Sequence, residues 1–230
     1  MQKDQGQGNM GAHMKVIITG ASAGIGLAVC ERFLQDRRIT VVGIDINPGK
    51  LVNERYHHVL ADVSDLESLP EIGEVTHLIN NAGVQNTSQD IAINLGGVMN
   101  CTRLYGLQPA IQSIVNVASA SAHSGAEFPE YVASKGGVVA YTKWTALQVA
   151  QYGATCNSIS PGGVLTELNR PVMDDPDKWR AIMAETLLPK WASAEEIAEW
   201  VYFMATVNRS MTAQDILVDN GEMAKSNFVW

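Results

Sequence analysis

Short runs of β-branched and other apolar residues alternate with longer segments of helical periodicity along most of the chain. In the first helical segment, apolar side chains recur at the spacing of one helix face. The predicted strands lie at residues 16–19, 40–44, 58–60, 76–79, 113–117, 155–160 and 214–218. The predicted helices lie at residues 26–35, about 90–107 and about 130–152, with a short helical stub at 66–69.

The predicted strands are apolar throughout rather than alternating, so both faces of their sheet must be covered. Parallel strands joined by crossover helices meet this requirement, and right-handed crossovers favour a doubly wound topology. The predicted fold class is therefore α/β: a Rossmann-type, doubly wound, mostly parallel seven-stranded sheet flanked by helices on both faces. In such a sheet, ligands bind beyond the carboxyl ends of the strands.

Composition narrows the class of protein. The 230 residues include 16 Lys and Arg against 24 Asp and Glu, and the net charge of −8 disfavours nucleic acid or an anionic membrane as a partner. No apolar run approaches the roughly 20 residues of a membrane span. Three widely spaced cysteines disfavour a disulfide framework or a metal site, and they fit a cytoplasmic location.

No repeat, low-complexity tract or linker interrupts residues 14–230, so we expect a single domain there. Residues 1–13 are polar and rich in Gln and Gly, and they end in a Gly-Ala-His sequence typical of a cloning remnant. We interpret residues 1–13 as a disordered expression tag.

A glycine-rich turn joins the first predicted strand to the first helix and reads Thr19-Gly20-Ala21-Ser22-Ala23-Gly24-Ile25-Gly26. Glycines let the backbone approach a pyrophosphate, whose charge is offset by free N–H groups at the helix N-terminus. Asp45 ends the second strand 19 residues beyond Gly26, where an acidic residue accepts the ribose hydroxyls of an adenosine. Its carboxylate repels a 2′-phosphate and the nearest following cation is Lys50, so NAD(H) is favoured over NADP(H).

A tyrosine and a lysine share one helix face in the segment Tyr131-Val132-Ala133-Ser134-Lys135. The i, i+4 spacing brings the ammonium near the phenol. A nearby cation lowers a tyrosine pKa from its usual value of about 10. Tyr131 is then suited to donate a proton to a carbonyl oxygen or to remove one from an alcohol.

These motifs together resemble the short-chain dehydrogenase/reductase family, over nearly all of residues 15–221. The resemblance also rests on Asn80-Asn81-Ala82-Gly83, which follows the fourth predicted strand. It implies that Tyr131 is the general acid/base and that Lys135 tunes it and anchors the ribose. Ser119, 12 residues before Tyr131, then donates to the substrate oxygen, with Ser121 as the rival. Asn94 is implied to support a proton relay.

The same resemblance implies a set of cofactor contacts. Asp62-Val63 matches the pair whose carboxylate contacts adenine, and the turn that begins at Pro161-Gly162 matches the one that holds the nicotinamide carboxamide. The implied cofactor-binding residues are Gly20, Ser22, Ala23, Gly24, Ile25, Gly26, Asp45, Ile46, Asp62, Val63, Asn80, Ala82, Gly83, Tyr131, Lys135, Pro161, Gly162, Val164 and Thr166.

The predicted activity is NAD-dependent hydride transfer between nicotinamide and a secondary alcohol or ketone. Residues 165–191 are expected to set specificity, and their apolar, Met-rich character favours a hydrophobic, hydroxysteroid-like or other secondary-alcohol substrate. An NADPH-dependent 3-oxoacyl reductase and a non-catalytic dinucleotide-sensing regulator remain as alternatives. The expected partner is a small-molecule substrate, and the resemblance implies a homodimer or homotetramer built on the helices that carry Asn94 and Tyr131.

Overall fold

The structure, a computed structural model, describes residues 13–126 and 128–225. The strands within these ranges are β1 (Met14–Thr19), β2 (Ile39–Asp45), β3 (Tyr56–Leu60), β4 (His77–Asn80), β5 (Ser113–Val117), β6 (Thr155–Pro161), β7 (Val164–Leu165), β8 (Ala192–Ser193) and β9 (Asp215–Val218). Of the tag predicted at residues 1–13, only His13 is described, and its Nε2 lies 2.9 Å from Thr40 Oγ1.

Seven of these strands form one parallel sheet in the order β3-β2-β1-β4-β5-β6-β9, and all seven strand predictions are confirmed. The chain winds outward in one direction from β1 to β3 and then crosses to β4 and winds in the other. This doubly wound order confirms the predicted fold class, and it places a switch point between β1 and β4. The strands β7 and β8 pair separately, also in parallel.

Helices cover both faces of the sheet. The α-helices of the described residues are α1 (Gly24–Leu34), α2 (Gly97–Cys101), α3 (Ser121–Ser124), α4 (Pro129–Val149), α5 (Arg170–Met173), α6 (Pro176–Met183) and α7 (Ala194–Tyr202). Two π-helical turns, Ile91–Gly96 and Thr102–Gly106, flank α2 and extend it into the longer helical segment that the sequence predicts. The predicted stub is the 3-10 turn Leu66–Ser68.

The apolar strands are explained by two cores, one on each face of the sheet. Val16 and Ile18 of β1 pack in a core with α1 and α7, whereas Ile17 between them packs on the opposite face with α2 and α4. All three side chains are fully buried, as the period of two along a strand requires when both faces are covered. Within the described residues, no helix is both long enough and apolar enough to cross a lipid bilayer.

Candidate active site

A cavity of about 740 Å³ lies beyond the carboxyl ends of six neighbouring strands of the parallel sheet. Among the predicted cofactor residues, those that line it are Gly20, Ala23, Gly24, Ile25, Asp45, Ile46, Asp62, Val63, Ala82, Gly83, Tyr131, Lys135, Pro161, Gly162, Val164 and Thr166. The predicted catalytic residue Ser119 and its rival Ser121 also line it. Ser22, Gly26, Asn80 and Asn94 are buried and lie outside this lining.

The glycine turn after β1 is closely packed against the turn after β4. Gly20 has a φ of +69°, and a Cβ there would lie 2.7 Å from Asn81 Nδ2. A Cβ on Gly26 would lie 2.0 Å from the Gly20 carbonyl oxygen, so Gly26 acts by letting α1 approach the turn. The backbone N–H groups of Asn81 and Ala82 both donate to Thr19 Oγ1 at 3.0 Å, which joins the two turns.

The N-terminus of α1 faces the cavity, and its geometry fits the diphosphate of a dinucleotide. The N-cap residue is Ala23, whose side chain cannot accept from the first-turn N–H groups. Gly24 and Ile25 line the cavity directly after it. A Cβ on Gly24, where φ is +51°, would lie 3.3 Å from Thr166 Cγ2 across the opening. Uncapped N–H groups at an unobstructed helix N-terminus suit a phosphate.

Two carboxylates lie at the β2–β3 end of the cavity. Asp45 Oδ2 accepts the Ser22 N–H at 3.0 Å, and Asp45 Oδ1 accepts the backbone N–H and the Nδ2 of Asn47 at 2.8 and 3.2 Å. Ser22 therefore holds Asp45 in place rather than lining the cavity. Asp62 Oδ1 accepts from the N–H and the hydroxyl of Ser64 at 2.8 and 2.7 Å.

Asn80 lies at the end of β4 and points into the interior. Its Nδ2 donates to Asn116 Oδ1 at 2.8 Å, and Asn116 Nδ2 donates in turn to Thr142 Oγ1 at 2.9 Å. This chain of amides ties β4 and β5 to α4. Asn80 therefore supports the helix that carries Tyr131, and its neighbour Asn81 is the asparagine that lines the cavity.

Tyr131 and Lys135 lie near the N-terminal end of α4. The Lys135 Nζ is 5.8 Å from the centroid of the Tyr131 ring, and it donates to the Val117 carbonyl oxygen at 2.9 Å. Lys135 is only 5% exposed, and this burial lowers its pKa from 10.5 to about 8, while the negative charge of Asp90 acts in the opposite direction. A cation is thus held beside the phenol.

Ser119 lies just beyond the end of β5. Its Oγ accepts the N–H and the hydroxyl of Ser121 at 3.2 and 2.7 Å. Neither of these two bonds uses the proton of Ser119, whereas Ser121 donates its own proton to Ser119. Both serines line the cavity, and this arrangement leaves the Ser119 hydroxyl proton unused by the contact between them.

Asn94 lies in the first π-helical turn and is fully buried. Its Nδ2 donates to the Val84 carbonyl at 2.9 Å and to Ser134 Oγ at 3.0 Å, and its Oδ1 accepts the Val84 N–H at 2.8 Å. A Cβ on Gly83 would lie 3.0 Å from Asn94 Oδ1 and 3.4 Å from Lys135 Nζ. The absence of a side chain at Gly83 therefore leaves the Asn94 oxygen and the Lys135 ammonium facing one small space.

Two residues that line the cavity, Gly163 and Glu222, were not assigned to the site from the sequence. A Cβ on Gly163 would lie 1.9 Å from Trp191 Nε1, so the indole packs directly on this glycine. The Trp191 ring also meets that of Trp179 edge-on, with centroids 5.1 Å apart. Glu222 lines the cavity as well, and burial, with the charges of Asp219 and Glu185, raises its pKa.

The apolar segment 165–191 contributes only part of its length to the cavity. The apolar residues of this segment that line the cavity are Leu168, Val172, Ile182 and Trp191. Glu167 and Glu185 from the same segment line it too. The opening is therefore bordered by both apolar and acidic side chains. Within the described residues, no group of three or more His, Cys, Asp or Glu side chains is arranged to hold a metal ion.

A Rossmann-type sheet with a glycine turn and an acidic residue at this cavity defines a dinucleotide-binding protein. Comparison with known proteins narrows the class, because the family profile described as short chain dehydrogenase matches residues 14–177. The chain belongs to the short-chain dehydrogenase/reductase family. It is an oxidoreductase of alcohol or ketone substrates, and this family binds a nicotinamide dinucleotide.

Curated relatives cover most of the chain. Glucose 1-dehydrogenase of Gluconobacter oxydans is 30% identical over 245 aligned positions, which span 91% of this chain and 92% of the relative. The 3-oxoacyl-acyl-carrier-protein reductase of Vibrio harveyi is 29% identical and spans 90% and 96%. Among solved structures, 4-hydroxyisoleucine dehydrogenase complexed with NADH superposes with a TM-score of 0.86 at 25% identity, covering 93% of this chain and all of that one.

Proposed function

We propose that the protein is an NAD(H)-dependent oxidoreductase that interconverts a neutral secondary alcohol, with a hydrophobic portion, and its ketone. The observation that carries this proposal is that Tyr131, Lys135 and Ser119 line the same cavity as Asp45. Proton-transfer groups therefore face one end of the space whose other end is suited to an adenosine ribose. When bound, the nicotinamide dinucleotide supplies the hydride donor or acceptor.

Tyr131 transfers the proton. In ketone reduction its phenol donates a proton to the oxygen that becomes the alcohol, and in oxidation its phenolate removes that proton. The Lys135 ammonium stabilises the phenolate, because a cation near the ring lowers the free energy of the charged form. Ser119 donates a hydrogen bond to the same substrate oxygen and stabilises the charge that develops there.

Asn94 acts through the groups that it holds. Its contacts with Val84 and Ser134 fix the chain beside Lys135. Its Oδ1 faces the space next to the ammonium that Gly83 leaves open. A water molecule in that space would connect Lys135 to solvent and restore the proton that Tyr131 transfers.

The preference for NAD(H) follows from the charges around the cavity. Lys135 is the only cationic side chain among the described residues that line it, and Lys135 lies at the catalytic end. Asp45 and Asp62 lie at the adenosine end. A 2′-phosphate would bring further negative charge next to Asp45, and no cationic side chain among the described lining residues lies at that end to offset it.

The same charges favour a neutral substrate. Glu185 and Glu222 border the nicotinamide end, where an anionic substrate would meet like charge. The apolar side chains of Leu168, Val172 and Ile182 offer a surface for a hydrophobic portion of the substrate.

An NADPH-dependent reductase of 3-oxoacyl thioesters is the second candidate function. It is supported by the 29% sequence identity with the Vibrio harveyi enzyme.

The assembly that we propose is a homodimer or homotetramer. On α4, the rings of Tyr141 and Trp144 stack with centroids 5.1 Å apart, and Leu147 lies three residues after Trp144, at the spacing of neighbours on a helix surface. Trp144 is 45% exposed and Leu147 is 75% exposed. Exposed apolar side chains of this size on one helix favour burial against a second subunit.

The test is a turnover assay at the absorbance band of reduced nicotinamide, with NADH and NADPH in parallel. The substrates should include cyclic ketones and their alcohols, steroids, polyols, aldoses and short 3-oxoacyl thioesters. We expect turnover with NADH on a neutral ketone or its alcohol. Turnover confined to NADPH and 3-oxoacyl thioesters would instead establish the second candidate.

Two variants test the residue assignments in the same assay. Tyr131→Phe should keep NADH binding and lower turnover by at least about 100-fold, because the proton donor is lost. Tyr141→Phe on the same helix is the matched control and should retain activity. Asp45→Ala should narrow the difference between NADH and NADPH. Undiminished turnover in Tyr131→Phe would remove the tyrosine from the reaction.

A further inference from the structure

The loop that follows β2 is fixed from behind by a histidine outside the cavity lining. His58 lies on β3, in register with Gly43 of β2. Its Nε2 is 2.8 Å from the Asn47 carbonyl oxygen, and its Nδ1 is 2.8 Å from Tyr56 Oη. A carbonyl oxygen only accepts, so Nε2 carries the proton. In the neutral ring, Nδ1 then accepts from the tyrosine hydroxyl.

Two glycines make room for this arrangement. A Cβ on Gly49 would lie 2.6 Å from His58 Cγ, so the imidazole packs directly against the backbone of the loop. A Cβ on Gly43 would lie 2.3 Å from Tyr56 Oη, the hydroxyl that meets His58. The loop is thus held to His58 by one hydrogen bond at Asn47 and by ring contact at Gly49.

Asn47 transmits this constraint to Asp45. Its carbonyl oxygen is held by His58 and also by the Ser22 hydroxyl, which donates at 3.0 Å. Its backbone N–H and its Nδ2 donate to Asp45 Oδ1. Asp45 and Asn47 line the cavity, whereas His58 lies behind them.

A carboxylate excludes a 2′-phosphate only if it cannot move away from it. Coulomb repulsion falls with distance and with access to water, so a mobile loop would relieve the repulsion by a small displacement. The contacts of His58 with Asn47 and Gly49 restrict such a displacement. Discrimination against a 2′-phosphate therefore depends both on the negative charge of Asp45 and on the loop that holds Asp45 in place.

We propose that His58 is a positioning residue for cofactor selection, which holds residues 45–49 so that Asp45 discriminates against a 2′-phosphate. This inference rests on the proposed preference for NAD(H), and it adds a specificity-determining residue that does not touch the cofactor. Asp45 supplies the negative charge, and His58 supplies the rigidity of the loop that makes this charge effective.

The test measures dissociation constants for NADH and NADPH by titration calorimetry, without substrate. In His58→Val, the ratio of the NADPH constant to the NADH constant should fall roughly fivefold, about the effect of one lost hydrogen bond. His58→Gln keeps an N–H donor and should recover part of the ratio. The turnover number with saturating NADH should stay unchanged, because His58 lies outside the catalytic groups.

His57→Val is the matched control, because His57 is the neighbouring histidine of β3 and its side chain is exposed. It should keep the wild-type ratio. An equal fall in both variants would mean that β3 was merely loosened, and it would overturn the proposal. If His58→Val does not fold, Tyr56→Phe removes only the hydroxyl that contacts Nδ1 and should shift the ratio in the same direction.

The outcomes separate the two proposals. A wild-type protein that binds NADH and NADPH equally would overturn the NAD(H) preference, and this inference with it. A wild-type protein that prefers NADH, together with a His58→Val variant of unchanged ratio, would overturn only the role of His58.

Discussion

The ionisable ammonium group of Lys135 is buried, and its contacts explain how it stays protonated there. Desolvation disfavours the charged form and brings the pKa to about 8. The Val117 carbonyl accepts from the ammonium, and the negative charge of Asp90 favours the protonated state. The protonated form is therefore retained at neutral pH, where it is close enough to Tyr131 to stabilise a phenolate.

His77 is a second buried titratable residue, and it links folding to pH. It lies at the start of β4 with its Nδ1 2.8 Å from Thr76 Oγ1. Burial, with a smaller contribution from the positive charge of Arg209, lowers its pKa from 6.5 to about 4. Above pH 6.5 the imidazole is neutral in both the folded and the unfolded chain. Between pH 6.5 and 4 the unfolded chain binds a proton that the folded chain does not.

We therefore predict that the free energy of unfolding falls as the pH decreases from 6.5 towards 4. The total loss attributable to His77 is about 3 kcal/mol, since one pKa unit corresponds to 1.36 kcal/mol. Urea unfolding at a series of pH values measures it. In His77→Leu this part of the pH dependence should disappear, whereas it should persist in His57→Val. An identical pH dependence in wild type and His77→Leu would contradict the assignment.

The placement of the candidate catalytic residues in one cavity was predictable because their arrangement is encoded in local spacing. The proximity of Tyr131 and Lys135 follows from their spacing of one helical turn. The position of Asp45 follows from the end of β2, which the apolar run of that strand locates. Asn80 was harder to assign, because a motif identifies neighbouring residues without showing which way each one faces. Asn80 bonds to Asn116 in the interior, and of these two neighbouring asparagines only Asn81 lines the cavity.

Among the elements, the β7–β8 ladder connects the turn after β6 to the segment that borders the substrate end. Val164 pairs with Ala192, which places Trp191 over Gly163. Trp191 in turn contacts Trp179 of α6 edge-on. The position of α6 therefore depends on a glycine in the turn between β6 and β7. Gly163 and Trp191 lie 28 residues apart in the sequence, so no local pattern predicted their contact.

We predict that Gly163→Ala destabilises the protein by about 1–3 kcal/mol, because the new methyl group would overlap the Trp191 indole. A smaller side chain should relieve the overlap, so Gly163→Ala should cost less when combined with Trp191→Leu. Urea unfolding of the two single variants and the double variant measures this coupling. Gly96→Ala, where the nearest neighbour is 3.7 Å away, is the control. Strictly additive effects would argue against the contact.

The helical segment around α2 shows where periodicity reaches its limit as a predictor. Apolar spacing predicts one continuous helix there, but the structure has π-helical turns on both sides of α2. Asn94 lies in the first of these turns and bonds to Val84 and Ser134, two residues outside the helix. A π-turn that accompanies such tertiary contacts leaves no signal in the local pattern. The inner strands were predictable because burial on both faces imposes an apolar run on each, whereas the edge strands β3 and β9 are only partly buried.

At the scale of the whole molecule, one exposed apolar surface lies on α4. Leu147 and Trp144 leave apolar area in water, and a second subunit would bury it. Tyr131 and Lys135 lie at the other end of the same helix. A subunit contact on α4 would therefore restrain the helix that carries the candidate proton-transfer residues.

We predict that the wild-type protein sediments as a dimer or tetramer and that Leu147→Glu shifts it towards the single chain. The substitution would place a charge in the contact, and the cost of desolvating an unpaired carboxylate exceeds the gain from burying its methylene groups. Sedimentation velocity over a range of concentrations measures the shift. Leu60→Glu is the matched control, because Leu60 is an exposed leucine on β3, at the far side of the sheet from β9. A wild-type protein that sediments as a single chain, or an equal shift in both variants, would exclude α4 as the subunit contact.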